Sequence, residues 1–444
     1  MILGWLSACW RRTADRRFAY GVAFGTVALC VVGSLIGPGL AGSSSWTYSA
    51  DSWQTVDSAR WISHGAIGTV YEASPWNFTL PGFATLLAPV VAVGDHFGLV
   101  DGYPIVLPHP SMWPLVLGFF AIAGATAVIA VDSLAAACGV GRARRRAVAL
   151  LTGVLLVAPT VVVAGHPEDL LALAFVCWSL VQLRKGKPSR AAWLLAVAIL
   201  FQLWAGLMIP LLVAASPAGQ RIRTGLRAAG LPSLIGGLLL ALDYPYASVA
   251  LFRQPMLPAG QLLPWWHIGQ HFVFHHPGLE GSSHAVQAVA GSSIRSLAVL
   301  SACGLAVWYW RRPSPRAFLV LPGLLLFIRC VFEGELFPYY LVPPVALLLV
   351  AAATIPRRSL AFLASIAGVG LYSLSANAEM NESYDAMLCL GGLLVLGMVG
   401  FGLAWLRTSF APARRSLSAQ FAIKKEIRHA RSELMLSTVG GDRD

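Results

Sequence analysis

Long apolar stretches alternate with short polar segments along this chain of 444 residues. Several of the apolar stretches approach the roughly 20 residues that an α-helix needs to cross a bilayer. At 57% hydrophobic and 12% charged residues, the chain also has too little polar surface to cover a water-soluble globule. The pattern predicts an all-α fold, a polytopic transmembrane bundle of about 10–12 membrane helices.

The predicted spans leave no stretch that is long and polar enough to fold as a separate soluble domain. Residues 1–406 are therefore predicted to form one membrane module, followed by a tail over residues 407–444. The spans cover residues 18–39, 113–138, 147–164 and 170–183, a segment that starts near residue 231, and residues 293–310, 318–332, 341–355, 360–376 and 386–406.

Two apolar stretches do not fit a simple crossing. Residues 80–93 are few and include Pro81 and Pro89, which predicts a helix half-inserted at the bilayer surface. Residues 191–215 are flanked by cations on both sides, whereas two full crossings would need roughly 40 residues. The second stretch predicts a re-entrant hairpin that breaks near residues 204–210 and packs inside the protein.

Clusters of arginine and lysine lie between the predicted spans and in the tail, and the net charge is +12. Cytoplasmic loops of membrane proteins carry such an excess, so the clusters predict which ends of the spans face the cytoplasm. The loops 43–110 and 244–290 and the turn 165–169 are thereby predicted to be extracytoplasmic at the cell membrane. The tail becomes a basic cytoplasmic segment on lipid headgroups, and nucleic acid is not expected as a partner.

Most of the remaining polar side chains fall on the predicted extracytoplasmic side. Ionisable groups are costly near a membrane, so a one-sided collection predicts a functional site. One of them, Asp51, also fits the N-cap of a helix over residues 52–63. The candidates are Asp51, Asp57 and Glu72 in the first loop, His166, Glu168 and Asp169 in the turn, Asp243, Arg253, His267, His271, His275 and His276 in the long loop, and Arg329, Glu333 and Glu335 near a later span.

No cofactor motif accompanies these residues. The histidines and carboxylates lack metal-ligand spacing such as H-E-x-x-H, so no metal site is predicted. The chain also lacks the G-x-x-x-x-G-K-[ST] loop of nucleotide-driven pumps and the G-x-G-x-x-G turn of dinucleotide enzymes. We therefore expect neither a metal nor a nucleotide cofactor.

The order of elements in the first loop carries a family resemblance. Asp51 follows the first span and precedes an amphipathic helix, after which come GTVY at residues 68–71 and FTLPGFA at residues 78–84. This order resembles the GT-C superfamily of integral-membrane glycosyltransferases, and within it the actinobacterial α-mannosyltransferases that use polyprenyl-phosphate mannose. Leu80 and Gly82 depart from the F-T-Y-P-P-F-A-like element of that family.

Later parts of the chain resemble the same family more weakly. The turn GHPED lies where the family often has Gly-Gln-x-Asn, Gln202 and Pro210 lie where Lys and Pro are common, and FPYYL at residues 337–341 resembles its late aromatic loop. The resemblance implies transfer of a sugar, with mannose favoured, from a polyprenyl-phosphate donor to a cell-envelope glycolipid or polysaccharide on the extracytoplasmic face.

The resemblance also implies roles for individual residues. A first-loop aspartate would be the base of a single inverting displacement, with Asp51 favoured over Asp57. Arg253, Arg329 or His267 would hold the charge of the departing phosphate. The other residues expected to contact substrate are His166, Glu168, Asp169, His271, Glu333, Tyr339 and Tyr340.

Two other classes of function fit the same pattern. A transporter or flippase of a lipid-linked saccharide would also be a polytopic bundle with a polar cavity. Transporters often show paired halves with matching broken helices, whereas this chain shows one predicted hairpin. A catalytically inactive relative that acts as a scaffold is the third possibility, because Leu80, Gly82 and Gln202 depart from the family pattern.

Overall fold

The structure is a computed structural model, and it describes residues 16–40, 50–73, 79–99, 113–252, 283–332 and 338–354. Within these ranges the regular elements are helices and no strand occurs, which confirms the all-α prediction. The helices are α1 (Arg17–Leu40), α2 (Ala50–Ser63), α3 (Val70–Ala73), α4 (Gly82–His96), α5 (Trp113–Ala137), α6 (Arg142–Leu150), α7 (Pro167–Arg184), α8 (Pro188–Phe201), α9 (Ile209–Ala215), α10 (Arg221–Leu242), α11 (Tyr244–Phe252), α12 (Ser283–Arg311), α13 (Pro315–Phe332) and α14 (Val342–Ala353).

Shorter elements link several of these helices. The chain continues from α6 in a π-helical conformation over Leu151–Val157 and again over Thr160–Ala164. The 3₁₀ segments are Ile67–Thr69, Leu203–Met208, Ala218–Gln220 and Pro338–Leu341.

Among the residues that the structure describes, three helical segments are long and apolar enough to cross a membrane, namely Leu115–Ala137, Arg142–Val162 and Ala218–Leu242. The last of these exposes large apolar side chains, with Leu234 70% and Leu238 57% exposed. A contiguous apolar surface of this kind is unfavourable in water and favourable in lipid. These helices indicate a membrane protein.

The helices run between two ends of the bundle. The first, which we name the arginine end, surrounds the arginines of residues 142–146 at the start of α6. Here Arg144 Nη1 donates a hydrogen bond to the Ala353 carbonyl at the end of α14, at 3.1 Å. Arg184 Nε donates to the Ala137 carbonyl at 3.1 Å, which brings the last residues of α5 and α7 to the same end.

The second end, which we name the acidic end, surrounds His166, Glu168 and Asp169. It follows α6 and its π-helical continuation, about 30 Å from the arginine end at 1.5 Å per residue. The first predicted loop packs at this end, because Ser52 Oγ in α2 donates a hydrogen bond to the Gly165 carbonyl at 3.3 Å.

The first loop is largely helical where the structure describes it. The helix predicted over residues 52–63 is α2, and the one predicted over residues 80–93 is α4. With 15 residues, α4 measures about 22 Å, which is too short for a crossing of its own. Its insertion at a bilayer surface stays a prediction.

The segment 80–82 joins this loop to the bundle by contacting two parallel helices. Near the starts of α8 and α10, Arg227 Nη1 donates a hydrogen bond to Ser189 Oγ at 2.5 Å. Further along both helices, the segment 80–82 lies against Leu200 of α8 and Gly236 of α10. Because α8 and α10 point the same way, the chain between them must run back to the end from which α8 started.

This return is the hairpin that the flanking cations predict. The break falls at Gln202, where φ is −149° and ψ is 124°, slightly before the predicted residues 204–210. The 3₁₀ segment Leu203–Met208 and α9 follow the break. The course of the chain therefore agrees with a hairpin, while its position in a membrane stays a prediction.

The departure from the family element at Gly82 has a packing reason. A Cβ atom built at Gly82 would lie 2.5 Å from the Leu200 carbonyl oxygen and 2.8 Å from its carbon. Because these are backbone atoms, a larger residue would push α4 away from α8. Leu80, the other departure, is 2% exposed and packs in the core.

Later helices overlap the predicted spans with shifted starts, and whether they cross a membrane stays a prediction. α10 begins at Arg221 and α12 at Ser283, rather than near residues 231 and 293. The early turns of both helices carry polar residues, so they did not extend the apolar pattern. The predicted loop 244–290 is thus helical at both ends, in α11 and in the first turns of α12, and the predictions for residues 360–376, 386–406 and 407–444 lie outside the described residues.

Candidate functional site

The turn 165–169 is shaped by local sequence. Gly165 has a φ of +69°, which glycine adopts without the strain of a side chain. Pro167 occupies the first turn of α7, where a missing backbone N–H costs little. Glu168 and Asp169 lie in the same turn, where the helix dipole favours negative charge.

Three ionisable side chains of this turn meet at the acidic end. His166 Nδ1 lies 2.7 Å from Glu168 Oε1 and 3.9 Å from Asp169 Oδ2. Both carboxylates are buried, Glu168 being 6% and Asp169 1% exposed. We name these three residues the turn cluster.

One oxygen of each carboxylate in the turn cluster has no hydrogen-bond partner among the residues that the structure describes. These atoms are Glu168 Oε2 and Asp169 Oδ2. Burial raises the pKa of Asp169 to about 6, even though His166, Arg329 and a hydrogen bond from Trp204 act in the opposite direction. A buried carboxylate oxygen without a partner is costly, so the turn cluster is not explained by folding alone.

Trp204 was missed as a site residue and holds the other oxygen of Asp169. Its Nε1 donates a hydrogen bond to Asp169 Oδ1 at 2.6 Å, and both side chains are buried. The predicted break near residues 204–210 offered a signal, because a buried indole N–H needs an acceptor. The tip of the hairpin thus touches the turn cluster.

The predicted late aromatic loop also lies at the acidic end. The Tyr339 ring stacks on His166 with ring centroids 3.7 Å apart and planes 21° apart. The Tyr340 ring stands edge-on to Tyr339, and the Arg329 guanidinium carbon lies 4.5 Å from the Tyr340 centroid. Six of the predicted site residues are therefore grouped here, namely the three of the turn cluster, Tyr339, Tyr340 and Arg329. The charge of Arg329 lowers the pKa of Asp169.

The two predicted bases, Asp51 and Asp57, lie in α2, the helix that packs at the acidic end. The helix begins at Ala50, so Asp51 belongs to its first turn and is not the N-cap. Asp51 directly precedes Ser52, the residue that contacts Gly165. Asp57 is half-buried, more than one turn further along α2.

A second polar group lies beside the first loop. Asp243 follows α10, and its Oδ2 has no hydrogen-bond partner in the described part of the chain. Burial together with the charge of Glu72 raises its pKa. Tyr71 is buried nearby, and its hydroxyl donates a hydrogen bond to the Thr79 carbonyl at 2.8 Å. The first loop and the start of the predicted long loop are therefore neighbours.

Several other predicted site residues lie outside the described residues. They are Arg253, His267, His271, His275, His276, Glu333 and Glu335.

The chemical capacity of the acidic end follows from its donor set. One imidazole and two carboxylates offer ligand atoms that all lie within 4.8 Å of one another, a group able to hold a metal ion. The nearby arginine and the tyrosines offer donors and ring faces for a phosphate and a sugar. The described part of the chain thus concentrates acid–base, cationic and aromatic groups in one place.

No protein-family model matches the chain, and neither a curated protein nor a solved structure is detectably similar to it.

Proposed function

We propose that this protein is a multi-pass glycosyltransferase that moves a sugar from a polyprenyl-phosphate donor to a cell-envelope glycolipid or polysaccharide. Mannose is the favoured sugar. The observation that carries the proposal is the hydrogen bond between Ser52 and Gly165, which joins the aspartate-bearing helix α2 to the turn cluster. The elements that carry the family resemblance thereby share one end of the bundle.

The proposal sets the acidic end outside and the arginine end in the cytoplasm. Arginines concentrate at one end of α6 and carboxylates at the other, which matches the charge bias of cytoplasmic loops. A polyprenyl-phosphate donor keeps its chain in the lipid and its sugar at the surface. An acidic end at the outer surface can therefore meet the donor sugar and a cell-envelope acceptor together.

Asp51 is the proposed base. In the single displacement, the acceptor hydroxyl oxygen attacks the anomeric carbon, and the carbon–oxygen bond to the phosphate breaks with its electron pair leaving on the phosphate. The hydroxyl proton passes to the carboxylate, and the configuration inverts. The position of Asp51 next to Ser52 in α2 favours it over Asp57, which lies further from the contact with Gly165.

Arg329 is the proposed partner of the leaving phosphate. A polyprenyl phosphate is a stable anion, so it needs a cation more than it needs a proton donor. Arg329 lies against Tyr340, and its charge reaches the turn cluster, as its effect on the pKa of Asp169 shows. Tyr339 and Tyr340 provide ring faces on which a sugar can pack.

A transporter or flippase of a lipid-linked saccharide is the second candidate, and one observation favours it. The helix interruption at Gln202 places Trp204 against the buried Asp169. Interrupted helices beside buried carboxylates are typical of transporter binding sites. In that function the turn cluster would bind the saccharide without breaking a bond.

The test is a transfer assay with the purified full-length protein, labelled polyprenyl-phosphate sugars and envelope acceptors. Asp51→Asn should lower the rate about 10²–10⁴-fold, the usual contribution of a general base, whereas Asp95→Asn serves as the matched control in the same loop. Asp57→Asn should leave most of the rate. Full transfer by Asp51→Asn would refute the proposed base. Movement of the labelled lipid across a vesicle membrane without transfer would favour the flippase.

A further inference from the structure

The turn cluster combines three features that folding does not require together. It contains two buried carboxylates within one helical turn, an imidazole between them, and two carboxylate oxygens without a hydrogen-bond partner. Acidic residues in the first turn of a helix are common because the dipole favours them, but such residues are normally exposed. Burial to 6% and 1% exposure needs a further compensating group.

The positive charges that act on Asp169 come from His166 and Arg329. A protonated His166 accounts for Glu168 Oε1, at 2.7 Å, but leaves Glu168 Oε2 without a partner. Asp169 Oδ2 is 3.9 Å from the imidazole, which is beyond hydrogen-bond distance. A proton on the imidazole thus satisfies Glu168 Oε1, and Glu168 Oε2 and Asp169 Oδ2 keep no hydrogen-bond partner among the described residues.

We propose that His166, Glu168 and Asp169 bind a divalent cation. A ring nitrogen of His166 and one oxygen of each carboxylate lie within 4.8 Å of one another. Ligand atoms at about 2.1 Å from a tetrahedral ion lie about 3.4 Å apart, so each side chain needs to move by less than about 1 Å. The two carboxylate charges equal the charge of the ion, and the unpartnered oxygens become its ligands.

Two of the three ligands are already held by a neighbouring group, as in metal sites with an oriented outer shell. The Tyr339 ring stacks on His166 and fixes the plane of the imidazole. Trp204 holds Asp169 Oδ1, so Oδ2 is the oxygen that remains for the ion. Neither contact blocks Nδ1 or Oδ2.

The ligand set also selects the class of ion. Calcium and magnesium prefer oxygen ligands throughout, whereas an imidazole beside two carboxylates suits Mn²⁺ or Zn²⁺. Three protein ligands leave coordination positions for water or for an oxygen of a substrate. The sequence-based expectation of no metal rested on the absence of known motifs. H-P-E-D places its ligands at i, i+2 and i+3, a spacing outside those motifs.

The test measures binding and does not depend on the proposed transfer reaction. The full-length protein is treated with a chelator, reconstituted in nanodiscs of phosphatidylcholine, and titrated separately with Mn²⁺ and Zn²⁺. Free Mn²⁺ is followed by electron paramagnetic resonance, and bound Zn²⁺ by elemental analysis. We expect one ion of at least one of the two metals per chain. Glu168→Gln and His166→Asn should each weaken its binding at least about tenfold.

Asp95→Asn, an acidic residue outside the turn cluster, is the matched control and should bind like the wild type. Absence of binding of both metals to the wild type would overturn the proposal, as would equal binding by all four proteins. If Glu168→Gln does not fold, Glu168→Asp keeps the charge and withdraws the carboxylate by one methylene. Weaker binding by Glu168→Asp supports the site, and unchanged binding overturns it.

Discussion

Each end of the bundle contains a buried aspartate, and the two aspartates differ in their hydrogen-bond partners. At the arginine end, Arg145 donates from Nε and Nη2 to the two oxygens of Asp132, at 2.9 and 2.6 Å. At the acidic end, Asp169 receives one hydrogen bond from Trp204 and keeps an oxygen without a partner. Asp132 is matched by a cation in bidentate geometry, whereas Asp169 lacks any such direct pairing.

This difference separates a carboxylate that serves folding from one available for function. A bidentate pair between α5 and α6 ties two helices together and leaves neither oxygen for a ligand. In the turn cluster, the burial of two carboxylates costs free energy, and binding of an ion or a substrate can offset that cost. Charge also surrounds the matched pair, in a cavity of about 250 Å³ lined by Arg17, Phe18, Ala19, Asp132, Arg142, Arg145 and Arg146.

The largest expected effect comes from breaking the matched pair. Asp132→Asn leaves Arg145, whose side chain is 12% exposed, without its carboxylate. We expect the free energy of unfolding to fall by about 3–5 kcal/mol, measured by denaturant titration in mixed micelles. The double variant Asp132→Leu with Arg145→Met should recover most of the loss. A single variant as stable as the wild type would mean that the pair does not hold α5 and α6 together.

The opposite result is expected at the acidic end. Asp169→Asn keeps an oxygen that can accept the hydrogen bond of Trp204 and removes a charge whose burial raises the pKa of Asp169. In metal-free protein at neutral pH, we expect the free energy of unfolding to rise by about 1 kcal/mol. In a separate titration with Mn²⁺ or Zn²⁺, we expect the same variant to bind the ion more weakly than the wild type. A decrease of more than about 2 kcal/mol would mean that Asp169, like Asp132, stabilises the folded state.

Asp243 is another carboxylate with a buried oxygen that has no hydrogen-bond partner among the described residues. Its effect on stability is expected to be smaller than that of Asp169 and to depend on pH. Burial raises its pKa above the ordinary value of 3.8, so the folded state prefers the protonated form. Its contribution to stability is therefore fully present below pH 3.8 and is lost as the pH rises through the raised pKa of the folded state. Asp243→Asn should unfold at a higher temperature than the wild type at pH 8, with the gap closing towards pH 4. A gap independent of pH would contradict this assignment.

Much of this fold follows from apolar length and charge. The hairpin was predictable because cations flank residues 191–215 on both sides, and the structure shows α8 and α10 running in parallel. The turn at the acidic end was predictable from Gly165 and Pro167, whose backbone preferences are local. Local rules place these features because they depend on neighbours in sequence.

The contacts between distant segments were not predictable in the same way. Trp204 and Asp169 are 35 residues apart, and their hydrogen bond depends on where the hairpin ends. The π-helical turns that continue α6 change which side chains share a face, and apolar composition carries no sign of that change. The packing of Gly82 on Leu200 likewise explains a residue that resemblance alone marked as a departure.

The smallest expected effect concerns charge pairs at the surface, in contrast to the buried pair of Asp132 and Arg145. Asp95 contacts Arg60 at 3.3 Å and His64 at 2.9 Å, but their side chains are 24%, 35% and 54% exposed. Water screens such pairs, so Asp95→Asn should lower the free energy of unfolding by about 0.5 kcal/mol at most. The same denaturant titration measures it, with Asp132→Asn as the reference. A loss above about 2 kcal/mol would show that charge pairing itself stabilises the helices, and that burial does not decide the difference between the two ends.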